Sequence, residues 1–138
     1  MNFRPSLVPL LLAGCVLGVY AAEPLVHLEA KGEAVENGKT LDMDFTEVER
    51  RPDASIVQVN LRSGGSVSSS LFVLRGMCAL AKARGEPYFK SSRLPAPAGR
   101  YIVRFQQSAP AASDAAPAGD FFSLAQCERL GALAMSPP

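Results

Sequence analysis

The sequence lacks most of the residues that enzymes use for acid–base chemistry near neutral pH. Its 138 residues include no Trp, three Cys and a single His, His27. A few thiols and one imidazole support neither a Cys–His nor a Ser–His–Asp arrangement, and they do not complete a zinc site. We therefore predict that the protein is not an enzyme, with no catalytic residue, no metal ligand and no cofactor. His27 is interpreted as a solvent-facing strand residue.

Charge of either sign is also scarce. Charged residues make up 20% of the chain and the formal net charge is +1, which excludes binding to nucleic acid through phosphate contacts. Hydrophobic residues reach 48%, so most of the chain is too apolar to be disordered, and its length allows one domain. Residues 23–53 carry a net charge of −5 and residues 54–138 one of +5. Two interpretations of this asymmetry stay open. The two halves dock against each other through opposite charges, or one of them presents a charged surface to a partner.

The one long hydrophobic run lies at the N-terminus, at residues 7–22, after the positively charged Arg4. At 16 residues it is short for a membrane-spanning helix, which needs about 20, and polar sequence begins at Glu23. This pattern is typical of a secretory signal peptide, predicted at residues 1–21. The remaining alternative is a cytosolic protein in which this run forms an apolar strand.

Two cleavage sites fit the end of this run. Residues 19–21 suit ordinary signal peptidase, which would leave Ala22 as the first residue. Residues 12–15, Leu-Ala-Gly-Cys, match the lipobox of bacterial lipoproteins, in which Cys15 would carry the lipid. Ordinary cleavage is favoured because the residues after Cys15 stay apolar. We therefore predict a periplasmic or secreted protein, with a lipid anchor in the bacterial envelope as the alternative.

The cysteine count agrees with export. Either route removes or lipidates Cys15, which leaves Cys78 and Cys127 as an even pair in an oxidising compartment. A disulfide between them would close a loop of about 50 residues and contribute about 4 kcal/mol in the chain-entropy model. The alternative is two buried thiols that pack as small hydrophobic groups.

Several segments carry strand signals. The alternation of apolar and polar residues predicts strands at residues 25–28, 41–46, 55–61, 88–91 and 100–105. The spacing of Leu41, Phe45 and Val48 also fits a helix, so the sequence allows either a strand or a helix at residues 41–46. Turns are expected at residues 37–38, 51–53 and 95–99.

Two helices are predicted. The first covers residues 71–84, with the serines before it as the cap and Gly85 as the end signal. The second covers residues 124–134 and begins with a capping box at residues 123–126, and a flexible Ala/Pro-rich loop is expected at residues 107–119. The fold class is α+β, a small antiparallel sheet with two helices packed on one face, within a single domain at residues 22–135. Cys78 and Cys127 would tie the helices to each other.

A Gly/Ser loop is the first candidate binding site. Ser63, Gly64, Gly65 and Ser66 lead into the predicted first helix, and backbone N–H groups at such a position can bind anions. No Gly-Lys-Ser/Thr follows, which excludes a nucleotide P-loop. The structural interpretation, a loop followed by a helix cap, is favoured over a ligand contact.

Asp42 and Asp44 are the second candidate. Alternation places both on one strand face, where a carboxylate pair can do acid–base chemistry. A solvated outer face explains the pair better.

One stretch carries a family resemblance. Residues 57–61 (Val-Gln-Val-Asn-Leu), a Gly/Ser gap, residues 71–76 (Leu-Phe-Val-Leu-Arg-Gly), Gly85 and Phe89 together resemble small bacterial envelope lipoproteins of unknown function. The similarity covers about residues 57–91. It implies an envelope location and an α+β fold, and it implies no activity. Arg75, within this stretch, is a candidate for a buried or interface ion pair, and its alternative is a surface arginine.

The leading functional expectation is an exported, non-enzymatic envelope protein that binds another protein, as an accessory or inhibitor-like module. No nucleic-acid partner is expected, and membrane contact only if Cys15 is lipidated. The alternative is a periplasmic binder of a small molecule or glycan that uses the Gly/Ser loop and the sheet face. A hydrolase that uses the acidic residues of residues 23–53 is the third hypothesis.

Overall fold

The protein folds as an α+β domain built on one antiparallel sheet. The computed structural model describes residues 23–110 and 121–131. Six strands pair in the order β1-β2-β3-β5-β4-β6, and the sheet curls into a half-barrel. In chain order the elements are β1 (His27–Ala34), β2 (Thr40–Arg50), β3 (Ala54–Ser63), α1 (Ser66–Arg84), β4 (Tyr88–Arg93), β5 (Arg100–Gln106), β6 (Phe122–Ser123) and α2 (Leu124–Arg129). The predicted fold class is thereby confirmed at the level of α+β with an antiparallel sheet.

Two sequence predictions fall wholly or largely outside the described residues. These are the signal peptide at residues 1–21 with the lipidation candidate Cys15, and most of the loop at residues 107–119. The second helix ends at Arg129 rather than at the predicted residue 134, because the chain turns at Leu130 and at Gly131, which has φ of 65°.

The first hairpin follows from two residues in left-handed conformations. Asn37 and Gly38 have φ of 60° and 66°, which is the turn that Asn-Gly favours between antiparallel strands. The chain then continues as β2, so the helical alternative for residues 41–46 is wrong. Leu41, Met43 and Phe45 are buried, since every second side chain of a strand points to the same face of the sheet.

The main core lies between this face and α1. Phe45 and Val57 are fully buried, and a Cβ added at Gly76 of α1 would lie 2.5 Å from the Phe45 ring. Gly76 therefore allows the close approach of α1 to β2. The buried members of this core are Ala30, Leu41, Met43, Phe45, Val57, Phe72, Met77, Cys78, Leu80, Ala81, Phe89, Val103, Phe105 and Cys127. A second, smaller cluster consists of Ala54, Ile56 and Ile102 with Leu94.

Helix α1 begins at Ser66 rather than at the predicted residue 71. The serines lie inside the first turns: Ser68 Oγ accepts from the N–H of Gly65, the N-cap residue, at 3.1 Å, and Ser70 Oγ donates to the Ser66 carbonyl at 2.8 Å. Such back-bonding satisfies a hydroxyl within a helix. The cap comes from a distant residue, because Glu36 Oε1 accepts hydrogen bonds from the N–H groups of Val67 and Ser68, each at 3.0 Å. The C-terminal end agrees with the prediction, with Gly85 at φ 67°.

The disulfide and the capping box of the second helix are both confirmed. Cys78 on α1 is bonded to Cys127 on α2, with their Cα atoms 6.0 Å apart. Ser123 Oγ accepts from the N–H of Gln126 at 3.1 Å, and Gln126 Oε1 accepts from the N–H of Ser123 at 2.9 Å. The two helices are therefore covalently joined, as the sequence predicted.

Candidate functional site

An open cleft of about 290 Å³ lies between α1 and strands β4 and β6. Its floor is apolar, since Met77 and Phe89 are both 3% exposed. Phe122 closes one end, with its ring centroid 5.7 Å from that of Phe89. The lining residues are Ser70, Val73, Leu74, Met77, Phe89, Lys90, Ser91, Phe121 and Phe122.

The local periodicity of each element explains why these residues meet. Positions 70, 73, 74 and 77 recur at three- and four-residue spacing, which places them on one face of α1. On β4, Phe89 and Ser91 share a face because they are two residues apart. The apolar surface extends beyond the cleft, because Leu71 and Val67 on α1 are 46% and 63% exposed.

Lys90 lines the β4 side of this cleft, and Arg93 follows it on the same strand. Lys90 Nζ lies 5.9 Å from the centroid of the Phe121 ring. Arg93 lies on the same face of β4 as Ser91, where its guanidinium stacks 5.4 Å from the Tyr101 ring and donates to the Tyr101 hydroxyl at 2.9 Å. The sequence interpretation missed this site. The sequence contains one local signal near it, since residues 88–106 hold four cations and no Asp or Glu.

The Gly/Ser loop, the first candidate binding site, is already in contact with a side chain of the protein itself. Ser63 ends β3, Gly64 and Gly65 connect it to α1, and Ser66 opens the helix. Glu36 accepts the helix N–H groups that an external anion would use, and a Cβ at Gly65 would collide with that carboxylate. The N–H of Ser68, with smaller help from Val67, lowers the pKa of Glu36. The chain therefore supplies its own anion at this position.

Asp42 and Asp44 lie side by side, and both are held by Arg62. The Arg62 guanidinium is 2.9 Å from Asp42 Oδ1 and 2.6 Å from Asp44 Oδ1, and Asn60 donates to Asp44 Oδ2 at 2.9 Å. The shared strand face agrees with the alternation. The expected solvation is wrong for Asp44, which is 7% exposed, because β3 brings Arg62 and Asn60 over it. A carboxylate pair neutralised in this way is poorly suited to acid–base catalysis.

A buried carboxylate that sequence reasoning missed lies at Glu47. Its side chain is fully buried, and it accepts hydrogen bonds from Arg50 at 2.6 and 2.8 Å, from Ser55 Oγ at 2.7 Å and from the N–H of Val26 at 3.0 Å. Burial raises the pKa of Glu47, but these hydrogen bonds and the Arg50 charge lower it by more, so the pKa lies below its ordinary value. Ser55 is fully buried too. The network binds strands together and offers no substrate access.

His27 and Arg75, the other residues singled out in the sequence, are not among the residues that line the cleft. His27 is exposed on β1, with Nδ1 2.8 Å from Thr46 Oγ1. Arg75 is half-buried on α1, and no ion pair joins it to another described residue. Within residues 23–110 and 121–131, no three His, Cys, Asp or Glu side chains are grouped so that they could hold a metal ion. No helix in this part of the chain has both the length and the apolar character that crossing a membrane requires.

Comparisons of the chain with protein-family models, with curated proteins and with solved structures return no match.

Proposed function

We propose that the protein is an exported, non-enzymatic module that binds another protein through the cleft between α1, β4 and β6. The observation that carries this proposal is the cleft itself, with its apolar floor and its continuation onto exposed Leu71 and Val67. Contiguous exposed apolar surface rimmed by polar groups is typical of interaction sites. The partner belongs to the envelope or is a secreted protein, and the module acts on it as an accessory or an inhibitor.

The open shape of the cleft favours a protein over a small molecule. Its volume of about 290 Å³ is at the lower limit of the roughly 300–1,000 Å³ found for pockets that enclose drug-sized ligands. It is open to solvent, so it suits one or two side chains that a partner inserts. A partner would also cover Leu71 and Val67, which a ligand confined to the cleft would leave exposed.

Export is proposed on the N-terminal apolar run and on the disulfide. Cys78–Cys127 is compatible with an oxidising compartment outside the cytoplasm. The intact mass of the mature protein, with and without reductant, tests this. A chain that begins at Ala22 and gains two hydrogens on reduction means ordinary cleavage, whereas an acylated chain that begins at Cys15 means a lipid anchor. An uncleaved chain without the disulfide would contradict export.

We also infer that both helices cover the same face of the sheet. Cys78 of α1 and Cys127 of α2 belong to one buried cluster with Phe45, Val57 and Val103 of the sheet. The two helices then form one continuous wall behind the cleft.

Site-specific photo-crosslinking tests the binding surface. A photoreactive amino acid placed at Ser91 lies in the cleft, whereas one at Ser92 projects from the opposite face of the same exposed strand segment. In cells of the source organism, we expect a discrete protein adduct at Ser91 and none at Ser92. The same adducts at both positions, or none at Ser91, would contradict the proposed surface.

The small-molecule alternative has less support from the geometry. It requires the loop at Ser63, Gly64, Gly65 and Ser66, whose helix N–H groups are already bonded to Glu36. A ligand-dependent rise in melting temperature in a metabolite and glycan screen would favour it. The hydrolase alternative would require Asp42 and Asp44 to act while both are paired with Arg62.

A further inference from the structure

Strand β1 forms one edge of the sheet, and its outer side is bonded to no other described strand. The N–H of Glu47 donates to the carbonyl of Val26 at 2.8 Å, which fixes the backbone groups that face β2. Because these groups alternate along an antiparallel ladder, those of Ala30 also face β2. The N–H and C=O groups of Glu29 and Lys31 therefore point to the open edge, where another strand can bond to them.

The side chains of Glu29 and Lys31 are exposed on this edge. Among the described residues, no ion pair includes either of them. Within the chain, Glu29 is opposite Asp44 in the register of β1 and β2, and like charges at such positions destabilise a sheet. Asp44 is itself bonded to Arg62. The contacts of the fold therefore do not explain why this edge carries a carboxylate and, two residues later, an ammonium group.

We propose that a second copy of the chain pairs with this edge, antiparallel and centred on Ala30, so that the two sheets join into one. In this register Glu29 of each copy is directly opposite Lys31 of the other, since the two residues lie at equal distances from Ala30. The two-fold axis repeats every contact, so both pairs of opposite charges form at once. Each pair can also exchange two backbone hydrogen bonds through the groups that point to the edge.

The charges select this register among those that a two-fold axis allows. Residues opposite each other in an antiparallel pair share a face of the sheet, so the neighbouring registers are centred on Glu29 or on Lys31. The first would set two carboxylates against each other, and the second two ammonium groups. Gly32, with φ of 74°, is an extra residue that interrupts the register of β1 with β2. Such a bulge limits how far an edge can pair, so the dimer should dissociate on dilution.

This edge is separate from the cleft. Strands β4 and β6, which line the cleft, lie at the other end of the strand order. The inference is therefore independent of the proposed function, and the dimer contact uses none of the residues that line the cleft.

Reversal of single charges tests the pairing. Sedimentation of the mature protein at loading concentrations from about 5 µM to about 500 µM should show a monomer–dimer equilibrium for the wild type. Glu29→Lys or Lys31→Glu alone sets like charges opposite each other at two places, so each should weaken self-association at least about tenfold. Glu128→Lys, the same change of charge on exposed α2, should leave self-association within about twofold of wild type.

Two combinations of these variants should restore the pairing. The double variant Glu29→Lys, Lys31→Glu again has opposite charges in the same register, so its self-association should lie within about threefold of wild type. An equimolar mixture of the two single variants should form a mixed dimer although each variant alone stays monomeric, because both cross-strand pairs then have opposite charges. A variant that had failed to fold would not regain association on mixing.

Amide hydrogen exchange locates the contact. A higher concentration of the wild type should slow exchange of the Glu29 and Lys31 N–H groups, which are bonded only in the dimer, and should leave that of Ala30 unchanged. A wild type that stays monomeric at the highest concentration would overturn the inference. Self-association that neither single variant weakens, or a mixture of the two that stays monomeric, would do so as well.

Discussion

The two ends of the sheet use charged residues in opposite ways. At the β1–β2–β3 end, Glu47, Asp42 and Asp44 are bonded to arginines of the same end. At the β4–β5 end, Arg93 and Arg104 pair with no described carboxylate. These carboxylates of the first end are therefore paired within the fold, whereas the two arginines of the second end have no described counter-ion. The first end contributes ion pairs to stability, and the second end borders the cleft that we propose as the binding surface.

The packing around two glycines shows how closely α1 fits the β1–β2 end of the sheet. A Cβ at Gly65 would collide with Glu36, and one at Gly76 would collide with Phe45, so α1 is closely fitted against the β1–β2 hairpin and its turn. In its first two turns, α1 also exposes Leu71 and Val67 to solvent. The helix is therefore closely packed at these glycines and leaves apolar side chains exposed near its start.

Removal of the disulfide should have the largest effect, because it covalently joins α1 to α2 within the buried core. The double variant Cys78→Ala, Cys127→Ala should lower the free energy of unfolding by about 4 kcal/mol. The two cysteines are 49 residues apart in sequence, and the bond restricts the loop between them in the unfolded chain. Urea denaturation measures the change. Reductant should lower wild-type stability by a similar amount and leave the double variant unaffected. A wild type that is insensitive to full reduction would contradict the prediction.

Glu47→Gln should be the next most damaging change to stability. The amide cannot accept from Arg50, Ser55 and the Val26 N–H as the carboxylate does, and it leaves Arg50 without its buried counter-ion. We expect a loss of about 3 kcal/mol in the free energy of unfolding at pH 7, measured by urea denaturation.

The same variant should flatten the pH dependence of stability. Because the folded pKa of Glu47 lies below its unfolded value, its contribution is fully present above the unfolded pKa. The contribution is lost as the pH falls through the folded pKa. Below about pH 4.5, wild-type stability should therefore decline more steeply than that of Glu47→Gln. Parallel declines would show that Glu47 does not supply this pH dependence.

Glu36→Ala should reduce thermal stability by less than Glu47→Gln. It removes the acceptor for the N–H groups of Val67 and Ser68 at the start of α1. Glu36→Gln should lie between wild type and Glu36→Ala, since its amide oxygen can still accept while the negative charge is gone. Thermal unfolding measures the order, and Glu33→Ala, on exposed β1, is the control. Equal melting temperatures for Glu36→Ala and Glu33→Ala would contradict the capping role.

The smallest effect is expected at Arg104. Arg104→Thr removes one of two like charges opposite each other in β4 and β5, so stability should stay within about 0.5 kcal/mol of wild type or rise slightly. Arg62→Thr, the matched change at the other end, should lower stability because Asp42 and Asp44 lose their shared partner. Comparable losses for the two variants in urea denaturation would remove the contrast between the ends.

Much of the fold was predictable because its signals are local. The Asn37-Gly38 turn, the strand alternation around Val57 and the capping box at Ser123 depend on residues within a few positions of each other. The pairing of Cys78 with Cys127 followed from parity. Helix α1 was predicted to begin too late, because serines that normally favour caps bond instead to carbonyls one turn back, while a distant carboxylate forms the cap.

The candidate site was not predictable in the same way. Its α1 and β4 walls each show the expected period, but no local pattern states that Leu74 and Phe89 face each other across a gap. The cation-rich stretch from residue 88 to 106 was visible in the sequence, and its meaning depended on knowing which arginines find carboxylates.

The sequence by itself determined five of the six strands, the presence of both helices, the turn at Asn37-Gly38 and the cysteine pair, since periodicity and parity act over short stretches or by count. Only the tertiary structure decided that Glu36 caps a helix 32 residues away, that Glu47 is buried among donors and that the cleft stays open. Each of these depends on strand register and on the curl of the sheet. Those features bring together residues that are distant in the chain, so the energies that select them appear only when the whole domain packs.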